Sequence, residues 1–581
     1  MVLSLMPTAI AFKQIEDFTG GINLRADQFQ LAPNESPGIV NLEVDPRGGI
    51  FTRAGYQIFH STAVGSLGGV WLPKRLYNYK HSTTPTVLLA TGYDTTGSVN
   101  GKVYQSIGSN FSLLNFGAAT PIVVKSTNGA SFAQWQNTVY IATGSGTTGV
   151  ATIPYKYVAG NTYATALTVS SPTWQAYAMP TGGYMPRAEL NITHANKMFV
   201  ANTVEYNTAA TPSLTEFPNR LRWSHENLPE DWYQDDYIDI ESGGEGITGL
   251  QIVDGQLLIF KPKAVYLLMG YDADNFQLVE LSTNLGIDYP QQCIAGNGGV
   301  YFFDWPQGLY FYNRNGIQDI FKRLRPIIQD KQVNSQALTA ITLSYINNKV
   351  WLSMPYDSDI ITGVAPSALP DFPSVNFVFD PTIGQQGSYT MYQSSTGFGL
   401  VSGTDWRDSA DEAYYLMINP DFDFPFIFSV DDYDNVTDAE LAGATPNTGN
   451  FLTKYITKWF DDDRYVQLKS FIAPNYVMKS VESSTNIRIN IYQDFDSTNQ
   501  QRSQTISLIP ETSGGLYGTG LYGTAVYGIT TVGATLQKGS PLGRAKAIQL
   551  EFLQPILSDT GRKWGLNSIA YKYKRRKIRG V

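Results

Sequence analysis

Five times between residues 137 and 352 the chain repeats one short pattern, a polar turn containing Asn or Asp followed by a strand of apolar and aromatic residues. Asn137 precedes Val139-Tyr140-Ile141-Ala142, Asn196 precedes Met198-Phe199-Val200-Ala201, and Asp254-Gly255 precedes Leu257-Leu258-Ile259-Phe260. Asn297-Gly298 precedes Val300-Tyr301-Phe302-Phe303, and Asn347-Asn348 precedes Val350-Trp351-Leu352. Asn and Gly tolerate the positive φ that a tight hairpin demands. A strand apolar on both sides must be covered on both faces, which happens when sheets stack face to face. The turn positions lie 59, 58, 43 and 50 residues apart, close to the roughly 40 to 50 residues of a four-stranded propeller blade. Gly69 to Leu72, Val87 to Ala90 and Lys102 to Tyr104 supply a further blade, and Phe398 to Met417 another. The expectation is an all-β chain with a β-propeller of six or seven blades over residues 61–420. Two ordinary β-sandwiches would also place strands after turn residues, and the drift in spacing favours them.

After residue 450 the texture changes to strict alternation: Ile487, Ile489 and Ile491 share one face with Arg488 and Asn490 on the other. Ile548, Leu550 and Phe552 repeat it, as do Ile569, Tyr571 and Tyr573. Residues 451–581 therefore read as a C-terminal antiparallel β-sandwich with one core face and one wet face. Residues 421–450, acidic and poor in pattern, read as a connection, and residues 1–60 as an N-terminal arm and docking segment. Aromatics make up 13% of the chain and charged residues only 16%, against about a quarter in an average soluble domain. Sheet and contact surface account for such a balance.

A net charge of -9 argues against non-specific DNA binding by the whole chain, because that binding neutralises phosphates with Lys and Arg. Cys293 is the single cysteine, which excludes an intramolecular disulfide and reads as a small buried hydrophobe. Met1 to Phe12 is apolar but interrupted by Pro7 and has no basic residue ahead of it, so it reads as an ordered arm. No segment approaches the ~20 apolar residues of a membrane-spanning helix.

Phe18-Thr19-Gly20-Gly21-Ile22-Asn23, then Leu31-Ala32-Pro33-Asn34-Glu35, Asn41, Asp45, Gly48-Gly49 and Arg53-Ala54-Gly55-Tyr56 resemble the opening of many phage virion proteins. The stretch Gly543 to Leu550, with Trp564-Gly565-Leu566, resembles phage tail domains. The family most similar is the tail nozzle or tubular protein of short-tailed phages (podoviruses). The resemblance implies a propeller-containing subunit that forms a sixfold ring below the portal and adaptor. It implies a conduit for phage DNA during genome retention and ejection, contacts with adaptor and portal-side proteins and with tail fibres, and a place in the virion tail after assembly in the host bacterial cytoplasm. It implies no cofactor and no enzymatic activity. A host-surface-binding tail protein is the alternative reading, and a glycan-cleaving tail protein stands behind it.

His60, His81, His194 and His225 are far apart, with no metal-ligand spacing. There is no phosphate-binding loop, no Gly-x-Ser-x-Gly elbow and, for His225-Glu226, no second His four positions after His225. Glycan cleavage needs only a pair of carboxylates. Glu230-Asp231-Trp232 with Asp235-Asp236, or Asp461-Asp462-Asp463, could supply one beside an aromatic platform. Acidic runs are more often solvated loops, and Asp431-Asp432-Tyr433-Asp434 lacks the Gly and terminal Glu of a calcium-binding loop.

Three further features carry expectations. The basic end, with Lys574, Arg575, Arg576, Lys577 and Arg579, is read as an assembly contact with an acidic neighbour, a solubilising tail and a DNA contact being the alternatives. Asp421, Asp423, Asp431, Asp432 and Asp434 are candidates for an acidic loop facing the conduit's lumen. The repeats Leu516-Tyr517-Gly518, Leu521-Tyr522-Gly523 and Val526-Tyr527-Gly528 read either as a flexible loop or as a segment ordered against a partner.

Overall fold

A computed structural model describes residues 10–575 except 60–70, 83–86, 95–99, 108–109, 118–119, 126–127, 145–152, 168–184, 207–213, 242–244, 357–372, 385, 395–398, 408–412, 419–426, 433–437, 443–444, 450, 463–465, 481–484, 509–534 and 555–563. The chain is nearly all β, 59% strand and 3% helical, and it forms a β-propeller. Six blades are each made of consecutive strands, four per blade along the main path. Their innermost strands are Trp71–Tyr79, Ser131–Trp135, Arg187–His194, Gly249–Val253, Cys293–Gly296 and Thr342–Ile346. A further, composite sheet closes the ring: Val401–Arg407, Ala413–Ile418 and Ile427–Asp432 come from the end of the propeller, and the outermost strand, Gly55–Ile58, comes from before its start.

The turn pattern builds the hairpin between first and second strand in five consecutive blades. In four of them both central residues have positive φ: Ala195 and Asn196, Asp254 and Gly255, Asn297 and Gly298, Asn347 and Asn348. That is the geometry of the turn whose twist matches a right-handed strand pair. In the remaining one Gln136, not Asn137, has the positive φ.

Two-sided burial of the second strands follows from stacking. In Gln256–Lys261, Leu257 and Ile259 pack against the blade before, while Leu258 and Phe260 pack against the blade after. In Gly299–Asp304, Val300 and Phe302 face backward, and Tyr301 and Phe303 face forward. Where the ring closes, Leu76, Ala90 and Tyr104 of the first blade share a cluster with Val401, Leu416 and Ile418. Hydroxyl groups bridge the innermost strands there. Ser402 Oγ accepts from the Leu76 amide at 2.7 Å, and Ser344 Oγ accepts from the Gly403 amide at 2.7 Å.

The alternating C-terminal strands form two facing sheets. One gathers Lys469–Phe471, Asn475–Ser480, Thr535–Lys538, Gly543–Ala545 and Trp564–Arg575 with Ile10–Ile15, Leu42–Val44 and Ile50–Thr52 from the N-terminal segment. The other runs Gly38–Val40, Thr453–Ile456, Ile548–Gln554, Thr485–Gln493 and Arg502–Leu508, and it continues the sixth blade into a nine-stranded sheet. Ile487, Ile489, Ile491, Ile548, Leu550, Phe552, Ile569, Tyr571 and Tyr573 are buried in one cluster with residues of the fifth and sixth blades. Propeller and sandwich thus share a core. The face expected to be wet is partly covered, since Asn490 is buried and donates to Glu551, which pairs with Lys454 at 2.9 Å.

Two boundaries differ from the expected ones. Ile427–Asp432 lies inside the stretch read as an acidic connection, yet it is a blade strand whose Val430 is buried with Met417 and Trp351. Its terminal aspartates hide the strand from a composition argument. Asp438–Ala442 and Thr445–Gly449 form a separate hairpin. Gly55–Ile58 lies in the stretch read as an arm, but it belongs to the propeller.

Asn41 and Arg53 hold the junction of these parts. Arg53 is 1% exposed, and its guanidinium donates to Asn41 Oδ1 at 2.8 Å, to the Ala54 carbonyl at 2.7 Å and to the Gln393 carbonyl at 3.1 Å. It lies over the rings of Tyr56 and Phe451, 4.0 and 3.9 Å from their centroids. Asn41 Nδ2 donates to the Leu452 carbonyl at 2.7 Å. A lysine offers neither the planar stack nor the fixed fork of donors. Arg53→Lys and Arg53→Met should each lower the unfolding free energy by about 2 to 4 kcal/mol, the range for breaking a buried charged hub. Urea midpoints measure this, and a lysine variant with the wild-type midpoint would refute the role given to Arg53.

Candidate functional site

The innermost strands of the six blades and of the closing sheet converge on the propeller axis and surround a half-open cavity of ≈ 490 Å³. Lys74 and Arg75 line it from the first blade, and no Asp or Glu is among the described residues around it. Lys74 sits at a β-bulge, because the strand register passes from Pro73 opposite Gly92 directly to Arg75 opposite Thr91. A bulge of this kind re-aims side chains, and here two consecutive cations reach the same cavity.

Lys74 is 5% exposed, and its Nζ donates to the Thr339 carbonyl at 2.9 Å. Gln291 Nε2 donates to the same carbonyl at 3.0 Å. Arg75 Nη1 donates to Ser131 Oγ at 3.3 Å. Burial pushes the Lys74 ammonium down to about 8 and lowers Arg75 as well, against the opposing pull of Cys293 and Tyr77. Cys293 lines the same cavity, and burial pushes its thiol up to about 11, although Gln251 and Arg75 favour the thiolate. At neutral pH the site therefore holds two cations and a protonated thiol.

The residues that carry the phage resemblance cluster elsewhere, at the junction of propeller and sandwich. Phe18 is fully buried and packs edge-on against Tyr455 at 5.4 Å. A Cβ on Gly20 would come 2.6 Å from the Asn34 carbonyl oxygen, and one on Gly21, where φ is +64°, would come 2.8 Å from the Tyr389 backbone. The Glu35 carboxylate accepts from the Ala32 amide at 3.0 Å and lies 3.6 Å from Arg323, which also donates to the Gly20 carbonyl. Trp564 donates its indole N–H to Thr453 Oγ1 at 2.8 Å.

Of the basic end, Lys574 and Arg575 belong to the final strand Trp564–Arg575, and Arg576, Lys577 and Arg579 lie outside the described residues. Lys574 is exposed and paired through its backbone with Ile10 and Ser470. Arg575 does not stand free for a neighbour, since its Nη2 donates to Asp462 Oδ2 at 2.7 Å. Lys13 lies 3.7 Å from the same carboxylate. Among the acidic candidates, Asp431 and Asp432 are on the third strand of the closing sheet, away from the propeller axis, and Asp421, Asp423 and Asp434 lie outside the described residues. The Tyr-Gly repeats of residues 516–528 and Asp463 lie outside them too.

Of the carboxylates considered for glycan cleavage, Glu230 and Asp462 are engaged in the fold, and Asp231 is buried with its Oδ1 unpartnered. Glu230 accepts from Tyr140 Oη at 2.8 Å and from Lys156 Nζ at 2.7 Å. Trp232 is 3% exposed and donates to the Pro229 carbonyl, so it offers no stacking face. Among the described residues no group of three His, Cys, Asp or Glu is placed to hold a metal ion.

No protein-family model matches this chain, and no curated protein matches it. The cavity and the junction therefore stand on their own geometry. The Gly-Gly and Arg-x-Gly motifs that carry the resemblance lie at the junction, although the sequence did not mark it as one. The axial cations carried no signal, because single basic residues on an unremarkable strand form no pattern.

The Lys74 shift has a defined sign. Below pH 8 the residue is charged in folded and unfolded chain alike, and the folded state carries the cost of a buried charge. Between about 8 and the ordinary lysine value of 10.5 the folded chain has released the proton while the unfolded chain keeps it, so this residue makes stability rise with pH. Tyr77 and Cys293 act oppositely, since burial raises both. The comparison is therefore with Lys74→Met. At pH 7 the variant should be the more stable by up to about 3 kcal/mol, and the difference should shrink toward pH 10. Urea unfolding of both proteins across that range tests it, and a constant difference would contradict it.

Proposed function

We propose that this chain is a structural, ring-forming component of a bacteriophage tail, of the nozzle kind. The observation that carries the reading is where the resembling residues fall: Phe18, Gly20, Gly21, Glu35, Asn41 and Arg53 are buried or tightly packed at the joint between propeller and sandwich. A motif spent on holding two bodies in one orientation suits a subunit whose task is mechanical. The low charge and high aromatic content suit large permanent interfaces. On this reading DNA passes between subunits of the ring, along a wall that is neutral or acidic, because a basic wall would retain phosphates. Binding to the host surface is the second reading, and the axial cavity favours it by offering room for a small ligand.

The basic end is assigned to docking on the portal-side neighbour. Lys574 and Arg575 are excluded from the segment to be removed, because the final strand and the Arg575–Asp462 pair need them. Deleting residues 576–581 should leave a folded subunit of unchanged β content that no longer joins the upper tail. Antibody label on intact virions should fall around the tail axis. Label on peripheral appendages would move the reading to host binding, and infectious particles made with the truncated chain would overturn the docking role.

A further inference from the structure

We propose that the axial cavity of the propeller is a binding site for a small polyhydroxylated carboxylate, of the size and chemistry of a sugar acid. This goes beyond the structural role proposed above and does not depend on it. Two cations, Lys74 and Arg75, line a cavity without a carboxylate among its described walls, inside a chain that is acidic overall. Uncompensated buried charge is costly, and an anion entering between the two side chains would neutralise it. Neither cation has an ion-pair partner among the described residues, where Lys74 bonds a backbone carbonyl and Arg75 a serine hydroxyl.

Polar atoms of the walls narrow the ligand class. Asn191, Gln291 and Thr342 line the cavity, are 5%, 7% and 2% exposed, and leave Asn191 Oδ1, Gln291 Oε1 and Thr342 Oγ1 without a hydrogen-bond partner. The two amides cannot be turned to remove the shortfall, because Asn191 Nδ2 donates to the Tyr140 carbonyl at 2.9 Å and Gln291 Nε2 to the Thr339 carbonyl. A flip would set oxygen against oxygen. The two amide oxygens call for donors and the Thr342 hydroxyl for a partner of either kind, so the ligand carries hydroxyl groups as well as an anionic group, which inorganic anions supply poorly. The remaining wall is mixed, with Ser131, Gln134, Thr193, Gln251, Ser402 and Thr404 beside apolar side chains that include Phe132 and Tyr77, stacked at 5.3 Å, so it can meet both the hydroxyls and the carbon face of a sugar ring. The volume of ≈ 490 Å³ is that of a small-molecule site, roughly 300 to 1,000 Å³, and is too small for a folded partner.

The test uses the full chain, with calorimetry and thermal unfolding in the presence of D-glucuronate, D-glucose or inorganic phosphate. Glucuronate should bind saturably with one site per chain and raise the unfolding temperature. Lys74→Met and Arg75→Met should each weaken it by about 10-fold to 100-fold, as the loss of one charge-assisted contact implies. Asn191→Leu should weaken it too, with the cations left in place. Lys74→Met removes a buried charge and is expected to fold, and circular dichroism on each variant checks this. The proposal is overturned if glucuronate does not bind saturably, if glucose binds as well as glucuronate, if phosphate alone binds, or if Lys74→Met binds glucuronate as the wild type does. Because the measurement is made on the isolated chain, its failure leaves the tail assignment untouched, and misplaced label on virions leaves this site untouched.

Discussion

The rest of the structure depends on the bonds between Arg53 and Asn41, because the chain's two bodies are joined where they lie. Gly38–Val40, just before Asn41, is a strand of the nine-stranded sheet, and Gly55–Ile58, just after Arg53, is the outer strand of the sheet that closes the propeller. A rotation at this point would pull one or the other out of register. The guanidinium prevents it by holding Asn41 on one side and the Gln393 carbonyl, next to the sixth blade, on the other. The stacking of Tyr56 and Phe451 over its faces keeps water from competing for those bonds.

Closure by a strand from the far end of the propeller solves a second problem. A linear stack of sheets would leave an exposed apolar face at each end, and such faces invite aggregation. Here the face of the first blade, with Leu76 and Tyr104, meets that of the closing sheet, with Val401 and Leu416. Because the closing strand precedes the first blade in sequence, the ring opens only if pairing across more than three hundred residues is lost, between Phe428 and Ile58 for instance. The same N-terminal segment pairs Ile10–Ile15 with Trp564–Arg575, so the first and last described strands lie in one sandwich sheet.

What was legible in the sequence was local, and what was hidden was long-range. The Asn and Gly turns could be read because positive φ restricts residue type at a single position, and the doubly apolar strands could be read because stacking buries both faces. The strict alternation of Ile487, Ile489 and Ile491 marked a one-sided sheet for the same reason. Gly55–Ile58 could not be recognised as a blade strand, since four residues carry little periodicity and the partner lies at Ile427–Asp432. Burial of Asn490 could not be foreseen either, because it comes from Glu551 and Lys454 on strands distant in sequence. The axial site was invisible for a different reason. Its character is that none of seven separate strands turns an acid toward the described cavity wall, although two of them contain one, Glu189 and Asp405, and no single stretch records that.

Charge is distributed in a way that separates the two axes of the proposed assembly. A DNA duplex, whose major groove alone is about 12 Å wide, has no room in a cavity of ≈ 490 Å³ ringed by seven strands. The propeller axis is therefore not the path for a genome, and a conduit built from such subunits must run between them. That separation removes an apparent conflict. Basic residues along a DNA path would slow passage by holding phosphates, whereas the buried Lys74 and half-buried Arg75 lie on an axis too narrow for a duplex. Their field acts at short range within a half-open cavity, where a small anion can come close to both. The surface can remain acidic, as the net charge of -9 implies, while the interior of one propeller keeps a cationic site.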